Sequence, residues 1–302
     1  MKFSIMTEPQ AGGTYDEILR VARLAESEGL HSFARSDHLA WNRDNPADAT
    51  DAFATLAGLA RETTTVRLCV LVTPVSFRHP AIIAKNAATI DQMSGGRLDL
   101  GVGTGWNEFE HEALGIPFPE PAERWARLED ALGYLEAAFG EGPGRHDGPF
   151  YTLDLDVKPK PTGIRLIVGG GGPTRTPRLA GTRADEYNFF MCPADEARAK
   201  IRVMRDAAEG RTVETTTMGP VTVAGNDAEL ADRLAAAAGR RDITTDELIG
   251  RWEKAGLIFG TPKRVQESIA GLEEAGVQRI YLQWLDLSDY DGLAKTLDLV
   301  RS

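Results

Sequence analysis

Two stretches hold residue types that can do chemistry. Ser36-Asp37-His38 sets a carboxyl beside an imidazole, and an imidazole titrates near neutrality, so it can take or give a proton at physiological pH. Gly169-Gly170-Gly171-Gly172 runs into Pro173-Thr174-Arg175. Bare backbone ahead of a helix start lets several N–H groups converge on one anion, which is the recipe for a phosphate nest. Arg175 and Arg178 can add positive charge there. Each stretch also has a plainer alternative. Asp37-His38 can be a loop that caps the next element, and the glycines can be a turn, although four in a row are costly to order. A third stretch, Leu98 to Glu108, carries Gly101, Gly103 and Gly105. Its G-x-G-x-G spacing is neither the dinucleotide fingerprint nor a P-loop. His31, His111 and His146 have no partners at metal-ligand spacing and are assigned no role.

Composition sets the bounds. The 302 residues are 42% hydrophobic and 26% charged, which is enough apolar material for a large core. The net charge of -11 disfavours nucleic acid and anionic membrane as partners. Cys69 and Cys192 are far apart and form no C-x-x-C pair, which argues against a zinc site or a disulfide framework and fits a reducing cytoplasm. Both are expected to be buried. Met1 to Met6 leads directly into a strand pattern without a signal peptide's long apolar region, and no run of about 18 apolar residues occurs. A cytoplasmic protein is therefore expected.

These groups need elements to position them. Phe3 to Thr7 reads as a strand, followed by a helix with a Thr14/Glu17 capping box that ends at Gly29. Further strands are expected at His31 to Arg35, Val66 to Val72, from Leu98, Arg165 to Val168, Asp185 to Phe190, Met218 to Ala224 and Arg279 to Trp284. Helical spacing lies between them, at Asp51 to Thr63, Pro80 to Met93, Pro121 to Phe139 and from an N-capping Thr261 with Pro262. Gly140 to Pro161 reads as an excursion with a short hairpin. Eight strands alternating with helices match an α/β fold, a (β/α)8 TIM barrel, better than a doubly wound sheet. A single domain over residues 1–302, with an insertion at about 140–162, is expected.

Read in order, Ser36-Asp37-His38, Thr73 to Pro80, Asp91 to Leu98, Gly103-Thr104-Gly105-Trp106-Asn107-Glu108 and Gly169 to Pro173 resemble the bacterial luciferase-like monooxygenase superfamily. Within it, the chain is similar to the branch that uses the deazaflavin coenzyme F420. The resemblance implies a TIM barrel with an insertion, a homodimer, and an oxidoreductase that exchanges hydride between F420 and a small organic substrate. It places His38 beside the cofactor ring as acid–base partner, Asp37 in hydrogen-bonding contact with the ring system, and Trp41 as an apolar wall. Val70, Leu71 and Val72 would form a bulge behind the ring, often with a non-prolyl cis peptide. Thr104, Gly105 and Trp106 would line the ring, and Gly170, Gly171, Gly172 and Arg175 would hold the phosphate. Deazaflavin dehydrogenases of this type carry a glutamate where Trp106 stands, which leaves Glu108 as either a substitute acid or an exposed helix-start residue. The alternatives are an FMN-dependent monooxygenase that uses reduced FMN, and a flavin- or deazaflavin-binding protein without turnover.

Overall fold

A computed structural model of the protein describes residues 1–40 and 47–301. Trp41 lies outside the described residues. The strands are β1 (Lys2–Thr7), β2 (Ser32–Arg35), β3 (Arg67–Pro74), β4 (Leu98–Gly103), β5 (Gly144–Asp147), β6 (Thr152–Leu155), β7 (Arg165–Gly169), β8 (Glu186–Phe190), β9 (Glu214–Val223), β10 (Ile258–Gly260) and β11 (Arg279–Trp284). Around them lie α1 (Tyr15–Ser27), α2 (Ala52–Glu62), α3 (Pro80–Ser94), α4 (Glu108–Leu114), α5 (Pro121–Phe139), α6 (Arg175–Arg183), α7 (Ala194–Ala208), α8 (Asp227–Gly239), α9 (Thr245–Lys254), α10 (Pro262–Ala275) and α11 (Tyr290–Arg301).

Eight parallel strands close into a ring in the order β1, β2, β3, β4, β7, β8, β9, β11 and back to β1. That is the expected (β/α)8 barrel. Side chains alternate along each strand, so Ile5, Phe33, Leu68 and Val70 pack outward under the helices. Met6, Ala34, Cys69, Leu71, Ile167, Met218 and Tyr281 fill the interior. The antiparallel hairpin β5–β6 falls within the expected insertion. No described helix is long and apolar enough to cross a membrane.

Local chemistry fixes the ends of the elements. Glu17 N–H donates to Thr14 Oγ1 and Thr14 N–H donates to Glu17 Oε2, which closes the expected box at α1. Thr261 makes no side-chain cap, so Pro262 alone marks the start of α10. β9 begins at Glu214, four residues before the expected Met218. Thr215, Thr216 and Thr217 read as polar, yet all are buried, because their hydroxyls donate to Gly276 O, Glu186 Oε1 and Phe189 O. β10, only three residues long and paired to β9 outside the ring, is too short to show a period.

Candidate active site

The carboxyl ends of the barrel strands open into a cavity of about 1100 Å³. That is roughly the upper end for small-molecule sites and large enough for two ligands side by side. Asp37, His38, Leu71, Val72, Thr104, Gly105, Trp106, Gly170, Gly171 and Gly172 all line it. Polar groups that follow apolar strands thus meet at one rim, where barrels carry their chemistry.

Two expected residues lie elsewhere. Val70 is fully buried in the packing between barrel and helices, because its side chain takes the outward place in the strand's alternation. Arg175 is half-exposed, stacks over the Trp125 ring at 4.6 Å and pairs with Glu129 at 3.1 Å, so its charge is spent beside the cavity and not in it.

β3 carries the local irregularity that the resemblance implies. The Leu71–Val72 peptide is cis, and the β3–β4 register shifts between Val70 and Thr73. Val72 then intrudes on its neighbours. A Cβ at Gly101 would lie 2.7 Å from Val72 Cγ1, one at Gly103 2.9 Å from Cγ2, and one at Gly169 2.7 Å from Cγ1. These glycines therefore make room for Val72, which forms a shelf in the cavity wall. Gly105 has a different reason, a φ of +78° that favours glycine.

His38 is held from below. Its Nδ1 lies 2.7 Å from Glu110 Oε2, and the Leu39 and Ala40 N–H groups donate to Glu110 Oε1 at 2.5 and 3.0 Å. The fully buried Glu110 on α4 thereby fixes the loop after β2. Burial works against the charged imidazole, but the hydrogen bond and charge of Glu110, helped by Glu8 and Asp37, outweigh it and hold the His38 pKa above its ordinary 6.5. Burial likewise opposes ionisation of Glu110, and His38 with the two backbone donors reverses that, so its pKa falls below 4.5. Each partner thus favours the charged form of the other. The Trp106 ring meets His38 edge-on, with centroids 5.4 Å apart. Asp37 pairs with Arg78, which also reaches Asp51. Burial raises the Asp37 pKa against the pull of Arg78 and Thr73.

The glycine loop is open to the cavity. Gly170 donates its N–H to Asn188 O, whereas the Gly171 and Gly172 N–H groups make no hydrogen bond among the described residues. Thr174 supplies no side-chain cap to α6, and the buried Thr176 in its first turn lines the cavity. Free N–H groups, an uncapped helix start and a hydroxyl suit a phosphate.

Several lining residues were not singled out from sequence. Glu110 and His111 face inward while Glu108, on the other side of α4, is exposed and does not line the cavity. His111 is buried between Phe77 and Phe118 and bonds Ser76 Oγ and Asn107 O, both at 2.8 Å. Glu8, directly after β1, accepts from Gln283 Nε2 at 2.7 Å and from Gln10 Nε2. Asn188 on β8 also lines the cavity. A rule of polar residues at apolar strand ends, applied to β1 and β11, would have found Glu8 and Gln283, whereas Asn188 sits in the middle of β8 and gives no such signal. Among the described residues, no group of three His, Cys, Asp or Glu side chains is placed to hold a metal ion.

A closed barrel with a large cavity at its carboxyl-end rim, a histidine on a buried carboxylate and an open glycine loop defines a TIM-barrel protein of the ligand-binding type. The chain belongs to the luciferase-like monooxygenase family, whose model matches residues 1–279. It is 33% identical over 223 residues to an F420-dependent glucose-6-phosphate dehydrogenase of Beutenbergia cavernae, covering 72% of this chain and 61% of that one. The chain thus spans about three-fifths of that relative's length. It is 28% identical over 327 residues to an FMNH2-dependent dimethylsulfone monooxygenase of Pseudomonas putida, covering 93% of this chain and 87% of that one. In fold it resembles the crystal structure of a monooxygenase from Streptomyces bottropensis, with a TM-score of 0.82, 22% identity and coverage of 99% and 97%.

Proposed function

We propose that the protein is an oxidoreductase that binds coenzyme F420 at the barrel mouth and moves a hydride between it and a small organic substrate, with His38 as acid–base partner. The observation that carries this is the meeting of His38–Glu110, the Val72 shelf and the open glycine loop in one cavity. The likeness to an F420-dependent dehydrogenase supports the cofactor. Gly171, Gly172 and Thr176 would hold its phosphate, and Leu71, Val72, Thr104 and Gly105 would hold its ring. When bound, the deazaflavin supplies a carbon that gives or accepts hydride and lacks the nitrogen that reacts with oxygen.

The chain's own residues do the rest. Glu110 engages Nδ1 of His38, which leaves Nε2 as the nitrogen to exchange a proton with substrate oxygen. Because the imidazole pKa is raised, His38 is an acid toward a carbonyl in one direction and a base toward an alcohol in the other. Trp106 brings no carboxyl and Glu108 faces away, so His38 takes the acid role. The alignment over 93% of this chain supports an FMNH2-dependent monooxygenase as the second reading.

His38→Ala tests the proton role. Single turnover at saturating cofactor should fall by about 10²- to 10⁴-fold while cofactor affinity changes little. Joint loss of stability and affinity with a normal rate per bound cofactor would reduce His38 to a packing residue.

A further inference from the structure

The part of the cavity across from the shelf says what kind of molecule it accepts. In a ring of eight strands, the fourth neighbour stands opposite. The strand order puts β9 across from β3 with Val72, β11 across from β4, and β1 across from the glycine loop of β7. The facing wall therefore holds Met218 on β9, Gln283 and Leu285 at the end of β11, and Glu8 after β1, with Phe190 beside them at the end of β8. Phe190 and Leu285 are large apolar side chains 55% and 44% exposed, which makes sense for groups that meet an apolar ligand.

The charges point the same way. Among the described residues no Lys or Arg lines the cavity, whereas Glu8, Asp37 and Glu110 do. Asp37 is balanced by Arg78 and Glu110 by His38. Glu8 is 8% exposed and is met by the amides of Gln10 and Gln283, not by a cation. An anionic group brought to this wall would lose its water and meet the Glu8 carboxyl, with no Lys or Arg among the described residues of the cavity lining to pair with it. A neutral ligand incurs none of these costs, and the Gln10 and Gln283 amides leave it hydrogen-bonding groups.

We infer that the substrate held against the β9–β11–β1 wall is a neutral, largely apolar alcohol or carbonyl compound and not a phosphorylated sugar or other anion. The inference rests on the cofactor proposal above. In the reducing direction the carbonyl carbon gains the hydride, the π pair of C=O moves to oxygen, and that oxygen takes a proton from His38. The reduced deazaflavin would supply the two electrons as that hydride, and the ring N–H proton that it would release on oxidation balances the one drawn through His38.

The test uses two isologues that differ in charge, methyl 4-oxocyclohexanecarboxylate and the free 4-oxocyclohexanecarboxylate, together with glucose 6-phosphate. Each is titrated into the full-length protein saturated with oxidised F420, with tryptophan fluorescence as the readout, since Trp106 and Trp125 line the cavity. F420 saturation is measured first, and its failure counts against the cofactor proposal, separately from the substrate. Given saturation, the ester should bind at least about tenfold tighter than the carboxylate, equal to about 1.4 kcal/mol, and glucose 6-phosphate should not compete with it. Leu285→Lys should shrink or reverse the ester-to-carboxylate ratio while leaving F420 affinity unchanged. Equal or tighter binding of the carboxylate, competition by glucose 6-phosphate, or failure of the ester to bind up to its solubility limit would each overturn the inference.

Discussion

At the scale of single residues, the site turns on a carboxylate that supports a histidine. Glu110 is fully buried, and its two oxygens serve His38 and two backbone N–H groups. Removing it strands both the His38 imidazole and the loop donors, so Glu110→Ala should destabilise the protein by about 3 kcal/mol. The His38 titration, followed by NMR of its ring protons, should move down from above 6.5 in wild type. A wild-type midpoint below 6.5, or one unmoved in the variant, would deny the pairing. The pH dependence follows from the two directions. With its folded pKa raised, His38 contributes stability that is fully present below 6.5 and lost as pH rises through the folded value. Glu110, with its folded pKa depressed, contributes stability present above 4.5 and lost as pH falls through the folded value. The pair should therefore stabilise most in mildly acidic solution, between 4.5 and 6.5, and less as pH rises through the folded His38 value. Asp37-His38 could be read from the sequence because both follow a strand. Glu110 could not, since only the burial of one face of α4 distinguishes it from Glu108, two residues earlier and exposed.

At the scale of elements, the glycines of β4 answer to β3. A Cβ on Gly101 would lie 2.4 Å from Val70 O and 2.7 Å from Val72 Cγ1, and a backbone oxygen cannot swing away. Gly101→Ala should cost about 3 kcal/mol, read as a lowered denaturation midpoint. A stability unchanged in that variant would mean that Val72 does not occupy the space. The glycine loop and α6 lead to the opposite expectation for Arg175. Its pair with Glu129 is about half exposed on both sides, a kind of contact worth roughly 0–1 kcal/mol, and its side chain is outside the cavity. Arg175→Ala should change F420 affinity by no more than about twofold, and a loss of tenfold or more would bring the guanidinium back to the phosphate. Proximity in sequence made Arg175 a candidate; the turn of α6 that directs it onto Trp125 is a tertiary fact. The glycines themselves were visible as a motif, while their reason, room for Val72, required the register of three strands.

At the scale of the whole molecule, the barrel separates chemistry from support. The end away from the cavity holds a buried polar layer in which Arg279, fully buried, bonds Glu186 and Tyr281. Burial opposes the charge of Arg279, yet Glu186, Tyr281 and Glu214 together hold its pKa above the ordinary value. Arg279→Ala removes the buried cation nearest Glu186 and leaves that carboxyl only Arg165 at 3.7 Å as an ion-pair partner, which should cost about 3 kcal/mol, with turnover per folded molecule unchanged because that face serves stability. A variant that folds normally but loses turnover would contradict the division. The strand order was readable in outline, since eight apolar runs alternate with helical spacing. The start of β9 and the existence of β10 were not, because the Thr215–Thr217 run hides a buried strand and three residues show no period. The central claim, that this cavity takes a deazaflavin, is tested most directly by titrating the purified protein with F420 and with FMN while following tryptophan fluorescence. Saturable quenching by F420 at micromolar concentration, with no saturation by FMN, is the predicted result; saturation by FMN with none by F420 would contradict it.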